Sequence, residues 1–434
     1  MIPAIEYQRR RERLMTEAGA QSMILLNAST ERLRNGDAHF PFRQDSDFLY
    51  LTGFDEPDCV LALLPGRASG EQLLFLRPNN PEREQWDGPR LGLDGAREQL
   101  GMDDAFPIED LDDILPGLME GVDRVYCLVG KDAAFDQRVI GWRNRLREKN
   151  KGQRGGPVEL IALEHLLHEQ RLIKTRDEIK AMQKAARISA GAMRRAMTST
   201  RPGMTEAEVQ AELMHEYLRH ACPPAYNPIV AGGRNALVLH YIRNDQPLPD
   251  DGLLLIDAGC EYQGYAADIS RTFPVNGRFS AAQKACYEVV LAAQKAAIEQ
   301  VRAGVPYQDY HDTAVRVLTE GMVDLGLLSG DVDGLIESQK YRRFYMHKTG
   351  HWLGLDVHDV GDYRIDGQWR LLEHNMVVTV EPGLYIGFDE DIPEALRGIG
   401  IRIEDDIRVG RDGPENLTAA VPREVDDIEA LMSA

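Results

Sequence analysis

Short apolar runs alternate with amphipathic stretches over the first third of the chain, and this pattern predicts a mixed α/β arrangement. Residues 4–18 carry apolar positions at helical spacing. SMILLN (22–27), DFLYLTGF (47–54), CVLALLP (59–65), QLLFLRP (72–78) and RVYCLVG (124–130) are bounded by turn residues and read as strands. Helical patterns around 96–100 and over 133–147 fall among them. The polar, basic, glycine-containing stretch 148–157 reads as an exposed loop, followed by a helix over about 158–171. The boundary is placed near Lys174, giving an N-terminal α/β domain over 1–173 and a second domain over 174–434.

The second domain opens on a capping box, Thr175 with Glu178, followed by Ile179, Met182, Ala186, Met193 and Met197 on one helical face. Thr205 with Glu208 opens another helix. YNPIVAGG (226–233), ALVLHYI (236–242), GLLLIDAG (252–259) and YAADISRTF (265–273) then read as strands. The pattern repeats: Ser280 with Gln283 caps a helix to about 302, a second covers about 307–325, and strands are expected near 345–353, 376–381 and 401–408. Two helices then strands, twice over, predict an α+β domain of pseudo-duplicated units with a cleft between its halves.

The 434 residues are 43% hydrophobic and 28% charged, ordinary for a globular protein. The net charge of -20 disfavours nucleic acid and anionic membranes as partners. No run of eighteen apolar residues offers a membrane span, and the N-terminus has basic residues without a following apolar segment. The five cysteines include no CxxC pair, which fits buried thiols in a reducing compartment. A cytoplasmic location is expected.

Chemistry concentrates late in the chain. Asp257 and Asp268 bracket a hairpin after the apolar LLLI. A loop at Tyr262 and Gln263 would set them directly opposite; one at Gln263 and Gly264 would set them diagonally on the same face. Like charges that close need a cation between them. Their bland alternative is two surface aspartates, which the buried character of LLLI weakens. Three of eleven histidines, His347, His351 and His358, fall within twelve residues. His347 and His351 are four apart, but the intervening Lys-Thr-Gly and the missing glutamate argue against an HExxH helix. Glu381 closes the apolar VVTV, and Glu404 lies in the alternating IRIEDDI beside Arg402, where a salt bridge is the competing reading. Asp257, Asp268, His351, Glu381 and Glu404 together are a ligand set for two divalent cations and point to a hydrolase.

The segments IDAGCEYQGYAADISRTFPVNG, GHWLGLDVHDVG, TVEPGLYI and GIGIRIEDDI resemble the pita-bread metallopeptidases, in particular the bacterial aminopeptidase P (Xaa-Pro aminopeptidase) branch. FPFRQDSDFLYLTGFDEPD and QWDGPRLG extend the resemblance to the N-terminal domain. The resemblance implies a pita-bread C-terminal domain and metal ligation by Asp257, Asp268, His351, Glu381 and Glu404, with Asp268 and Glu404 bridging. It implies substrate-binding roles for His240, His347 and His358, a supporting role for Arg402, and positions near the site for Tyr226 and Tyr385. Asp37 and Trp86 match residues that approach a neighbouring subunit's site in the family's tetramers, so a homo-oligomer, tetramer or dimer, is expected. Lys348 follows His347 where many relatives carry Gly or His, placing a long cation beside a substrate-binding histidine.

The implied activity is release of the first residue from peptides with proline second. His358 would stabilise the oxyanion and Glu381 would shuttle the proton. Oxygen-rich ligation, like the family, favours Mn(II). The alternatives are an Xaa-Pro dipeptidase (prolidase), which shares the ligand set, and a non-catalytic peptide-binding protein on the same fold. Methionine aminopeptidase shares the C-terminal fold but normally lacks this N-terminal domain.

Overall fold

Four of the five apolar runs in the N-terminal part become strands of one six-stranded sheet. In the computed structural model, which describes residues 2–151 and 155–433, the order is Asp104–Pro107, Gln72–Leu76, Val60–Leu63, Ser22–Asn27, Arg124–Cys127, Glu159–Ala162. Ser22–Asn27 runs antiparallel to Val60–Leu63 and parallel to Arg124–Cys127. Its near-continuous burial explains why it reads as an unbroken apolar run. Met23, Leu25 and Phe75 pack in one cluster with Leu115 and Trp142. This unit spans Ile2–Arg171, and a second unit begins at Leu172.

The fifth run is a helix, not a strand. Asp45 accepts from the Asp47 and Phe48 amides at 3.0 and 3.1 Å, and Gly53 ends Ser46–Thr52 in the left-handed region. A strong cap and stop outweigh the strand preference of Phe and Tyr. The helix expected over 158–171 begins only at Glu164, and its first residues instead form an edge strand, Glu159–Ala162, whose apolar Leu160, Ile161 and Ala162 run into the helical pattern without a turn signal. Helix Ala133–Lys149 enters the expected loop 148–157, of which residues 152–154 lie outside the described residues.

In the second unit the three capping boxes open helices Arg176–Ser199, Glu206–Arg219 and Ala281–Ile298, with Asp309–Asp324 completing the second pair. One sheet orders Ser270–Pro274, Leu253–Asp257 and Ile229–Gly232; another orders Val377–Val380, Asp405–Val409 and Pro414–Asn416. Two expected strands are absent. ALVLHYI passes from a 3-10 turn at Gly233–Leu237 into irregular chain, with Val238 and Ile242 exposed. The 345–353 segment forms only a bridge from Trp352 to Val378. Gly350 lets that segment pass the second sheet, since a Cβ there would lie 2.0 Å from the Thr379 carbonyl oxygen.

A buried ion pair ties the two halves of this unit. Arg271 bonds to Asp405 at 2.8 Å and to the Glu404 carbonyl at 2.6 Å, with both side chains wholly inaccessible. Gln294 donates to the other Asp405 oxygen at 2.9 Å. Arg271→Met removes the guanidinium and strands part of that carboxylate. The expected loss is about 3–5 kcal/mol, measured as a lowered urea midpoint with unchanged slope. A midpoint within error of the native protein contradicts this role.

Candidate metal centre

The hairpin resolves the position of the first carboxylate pair. Gln263 and Gly264 both adopt positive φ, at 54° and 82°, as a two-residue hairpin turn requires. Tyr262 then faces Tyr265, and in the same register Asp257 faces Ser270. Asp268 therefore lies diagonal to Asp257, the second of the two arrangements the sequence allowed. The second sheet supplies the remainder: Glu381 follows Val377–Val380, and Glu404 precedes Asp405–Val409.

Ligand atoms of Asp268, His351 and Glu404 all lie within 4.8 Å of one another. His351 Nε2 is 3.4 Å from Asp268 Oδ2 and 3.7 Å from Glu381 Oε1. Asp257 joins through Tyr226, whose single hydroxyl proton lies between Asp257 Oδ1, 2.6 Å away, and Asp268 Oδ1. Arg402 uses all three nitrogens: to Asp257 Oδ2 at 2.7 Å, Ser270 Oγ at 2.9 Å and Tyr385 Oη at 2.9 Å. Ser270 in turn donates to Glu404 Oε2 at 2.6 Å. His351 Nδ1 lies 2.9 Å from the Trp352 carbonyl oxygen, so it carries the proton and leaves Nε2 as the ligand atom.

The charges explain what this arrangement needs. Burial pushes Glu381 up to about 7 and raises Glu404 well above the usual carboxylate range beside Asp268, Glu381 and Asp257. Burial also raises Asp257, although Arg402 opposes it. Burial acts against the charge of Asp268, but the His351 hydrogen bond holds it low. Burial opposes charge on His351 too, yet Asp268 and Glu381 raise it to about 9. Asp406, whose carboxylate accepts from the Asp268 amide at 3.2 Å, is also raised by burial. Two like charges at such separations repel by about 3–4 kcal/mol at an effective dielectric near 20. The cluster therefore fits divalent cations: hard oxygen donors, one imidazole with its lone pair directed inward, and a local excess of negative charge.

Asp257, Asp268, His351, Glu381, Glu404, Arg402, His240, His347 and His358 line one cavity of about 820 Å³. His358 stands edge-on to His351 with ring centres 4.3 Å apart, and burial beside His351 lowers its basicity. His347 Nε2 is 2.9 Å from Tyr385 Oη, and burial holds it neutral, down to about 3. Tyr226 and Tyr385 touch lining residues from behind. Asp37 and Trp86 lie in the Ile2–Arg171 unit, both exposed, and are not among the lining residues.

Sequence reasoning missed three supports. Asp406 shares a strand face with Glu404, a period-2 signal that was legible. Ser270, two residues after Asp268, carried the same signal, whereas the buried pair of Lys174 with Asp359, 2.9 Å apart, carried none. That pair anchors the residue next to His358.

The model of metallopeptidase family M24 matches residues 180–411, and that of the aminopeptidase P N-terminal domain matches residues 7–126. The chain is 46% identical to the Xaa-Pro aminopeptidase of Haemophilus influenzae, covering 100% of this chain and 98% of the relative. It is 44% identical to that of Escherichia coli strain K12, covering 99% and 98%. The solved structure of aminopeptidase PepP from Pseudomonas aeruginosa superposes with a TM-score of 0.98 at 54% identity, over 100% of this chain and 98% of that one. The chain belongs to metallopeptidase family M24 and has its α/β N-terminal and pita-bread C-terminal fold.

The shifted groups predict how the protein behaves after chelation. His351, raised to about 9, contributes stability present below its unfolded value near 6.5 and lost as pH rises through 9. Glu381, raised by burial from the usual 4.5 to about 7, costs stability as pH rises between those two values and adds nothing further above 7. His347 and His311, held down to about 3 and about 4 mainly by burial, stay neutral in the folded state but titrate near 6.5 in the unfolded chain, so they oppose the decline near pH 6.5 and drop out about a unit above it. The Tm of chelated protein should fall as pH rises from about 7.5 toward the His351 value of about 9, and saturating Mn(II) should flatten that decline. A rising Tm for the chelated protein contradicts this.

Proposed function

We propose that this member of family M24 removes the N-terminal residue from peptides whose second residue is proline. Its two divalent cations would be held by Asp257, Asp268, His351, Glu381 and Glu404, with Asp268 and Glu404 shared. The observation that carries the reading is the convergence of these five side chains on one cavity, in a chain similar to Xaa-Pro aminopeptidases over its whole length. Residues 1–173 would form the N-terminal domain and 174–434 the catalytic one. The match of residues 7–126 to the aminopeptidase P N-terminal domain favours this activity over prolidase, and the intact ligand set disfavours a non-catalytic role.

When bound, the cations polarise the scissile carbonyl and lower the pKa of water so that it can attack at neutral pH. Tyr226 and Arg402 hold the Asp257 carboxylate from two sides and fix its direction. His358 donates an N–H to the carbonyl oxygen as negative charge develops there. Glu381 accepts a proton from the attacking water at its carboxylate and passes it to the proline nitrogen, because an amide anion is a poor leaving group. His240 and His347 position the peptide, with Tyr385 orienting His347. An Xaa-Pro nitrogen has no hydrogen, so a pocket without an acceptor there penalises other second residues.

Mn(II) is the proposed metal, on the strength of the oxygen-rich ligands. A zinc-substituted Escherichia coli aminopeptidase P has been solved with product, which supports a site tolerant of several divalent ions. Trp86 is 85% exposed, which removes a core role and supports its proposed approach to a neighbouring subunit's site in a tetramer or dimer, together with Asp37. The five cysteines are free and buried, consistent with the cytoplasm; among the described residues no helix is long and apolar enough to cross a membrane.

Two experiments test the assignment. Asp268→Ala and Glu404→Ala should lose metal and nearly all activity, whereas His358→Ala should retain metal and lose about a hundredfold or more in kcat. Metal loss in His358→Ala would contradict its role. In the second, Ala-Pro-Ala should be cleaved faster than Ala-Pro or Ala-Ala-Ala at equal concentration. Preference for Ala-Pro moves the activity to prolidase, and rapid cleavage of Ala-Ala-Ala excludes a proline pocket.

A further inference from the structure

One wall of the metal-binding cavity carries two cations and an indole that the chemistry above does not use. The Arg364 guanidinium lies 4.1 Å from the centre of the Trp369 ring, and Lys348 Nζ lies 5.8 Å from it. Arg364 pairs with Trp369 across a short hairpin that turns at Asp366 and Gly367, both at positive φ, and so holds its ends in fixed register. All three side chains line the cavity. Among the described residues neither cation has an ion-pair partner, although Asp362 lines the same cavity. The buried cations Lys174, Arg271 and Arg402, by contrast, each meet a carboxylate.

Position decides what these cations could meet. Lys348 also lines a second cavity, of about 960 Å³, which shares Gln308, His311 and His347 with the first. A peptide leaving the metal site toward that second space passes the Lys348 ammonium. The substrate's amino terminus is itself a cation and belongs near the acidic cluster, so like charge excludes it from this wall. Contact with an aromatic face steadies both side chains, while their N–H donors remain available to an anion.

We propose that Lys348, Arg364 and the Trp369 face form a subsite for a carboxylate on the part of the peptide beyond proline. This rests on the Xaa-Pro reading above. Two sources share that chemistry: the C-terminal carboxylate of a short peptide, and an acidic side chain at the third position. Both groups are exposed, so the gain is modest, about threefold to tenfold in kcat/KM, and falls with salt.

The test compares Ala-Pro-Ala with its C-terminal amide, and Ala-Pro-Asp-Ala-amide with Ala-Pro-Asn-Ala-amide, in native protein and in Lys348→Met/Arg364→Met. Preference for the charged member of either pair, lost in the double variant while amide turnover is unchanged, supports the subsite. The responding pair identifies the source. Calorimetric binding of Pro-Ala against Pro-Ala-amide should show the same ratio and the same dependence on the two cations. Equal handling of acid and amide by native protein, or a preference that survives both substitutions, overturns the proposal. Failure to cleave every Xaa-Pro peptide would overturn the activity reading instead, and calorimetry would still decide the subsite.

Discussion

Carboxylates packed together away from water set the terms for the whole second unit. Asp268, Glu404 and Asp406 are buried, and Asp257 and Glu381 nearly so, around Arg402 and His351. At neutral pH such a group must either take up protons or bind cations. Burial raises Glu381 and Glu404, the protonated solution, and the convergence of ligand atoms offers the other. Stability and chemistry are thus coupled: what destabilises the cation-free fold is what creates affinity for cations.

The pseudo-duplicated architecture is what can hold so costly a cluster. Each half contributes a helix pair and a three-stranded sheet, and each sheet delivers carboxylates from its ends. Arg271 with Asp405 fastens strand Ser270–Pro274 to strand Asp405–Val409 directly behind the site. Arg402 and Ser270 link Asp257 of one half to Glu404 of the other through three hydrogen bonds. Lys174 and Asp359 hold the segment that carries His358. The side chains that do chemistry are flanked by others whose hydrogen bonds leave them little freedom, the condition for a preorganised site.

Much of this could be read from residue pattern. Capping boxes marked three helices because their side-chain chemistry is local. Buried strands such as Ser22–Asn27 and Leu253–Asp257 announced themselves as apolar runs, and the hairpin placed Asp257 and Asp268 on a shared face in either register. What failed did so for physical reasons. DFLYLTGF reads as a strand by composition but is closed as a helix by Asp45 and Gly53. Glu159–Ala162 is an exposed edge strand whose pairing comes from backbone alone. The long-range pairs, Lys174 with Asp359 and Arg271 with Asp405, are separated by more than a hundred residues and leave no local trace. Trp86 was expected to be exposed only by resemblance, since an isolated tryptophan is as readily a core residue.

The central claim is that the clustered carboxylates exist to share two cations. Anomalous diffraction at the manganese edge from crystals of Mn(II)-loaded protein tests it most directly. The account predicts two peaks flanked by Asp268 and Glu404, one also reached by Asp257 and the other by His351 and Glu381. A single peak, or peaks that bypass Asp268 and Glu404, would contradict it.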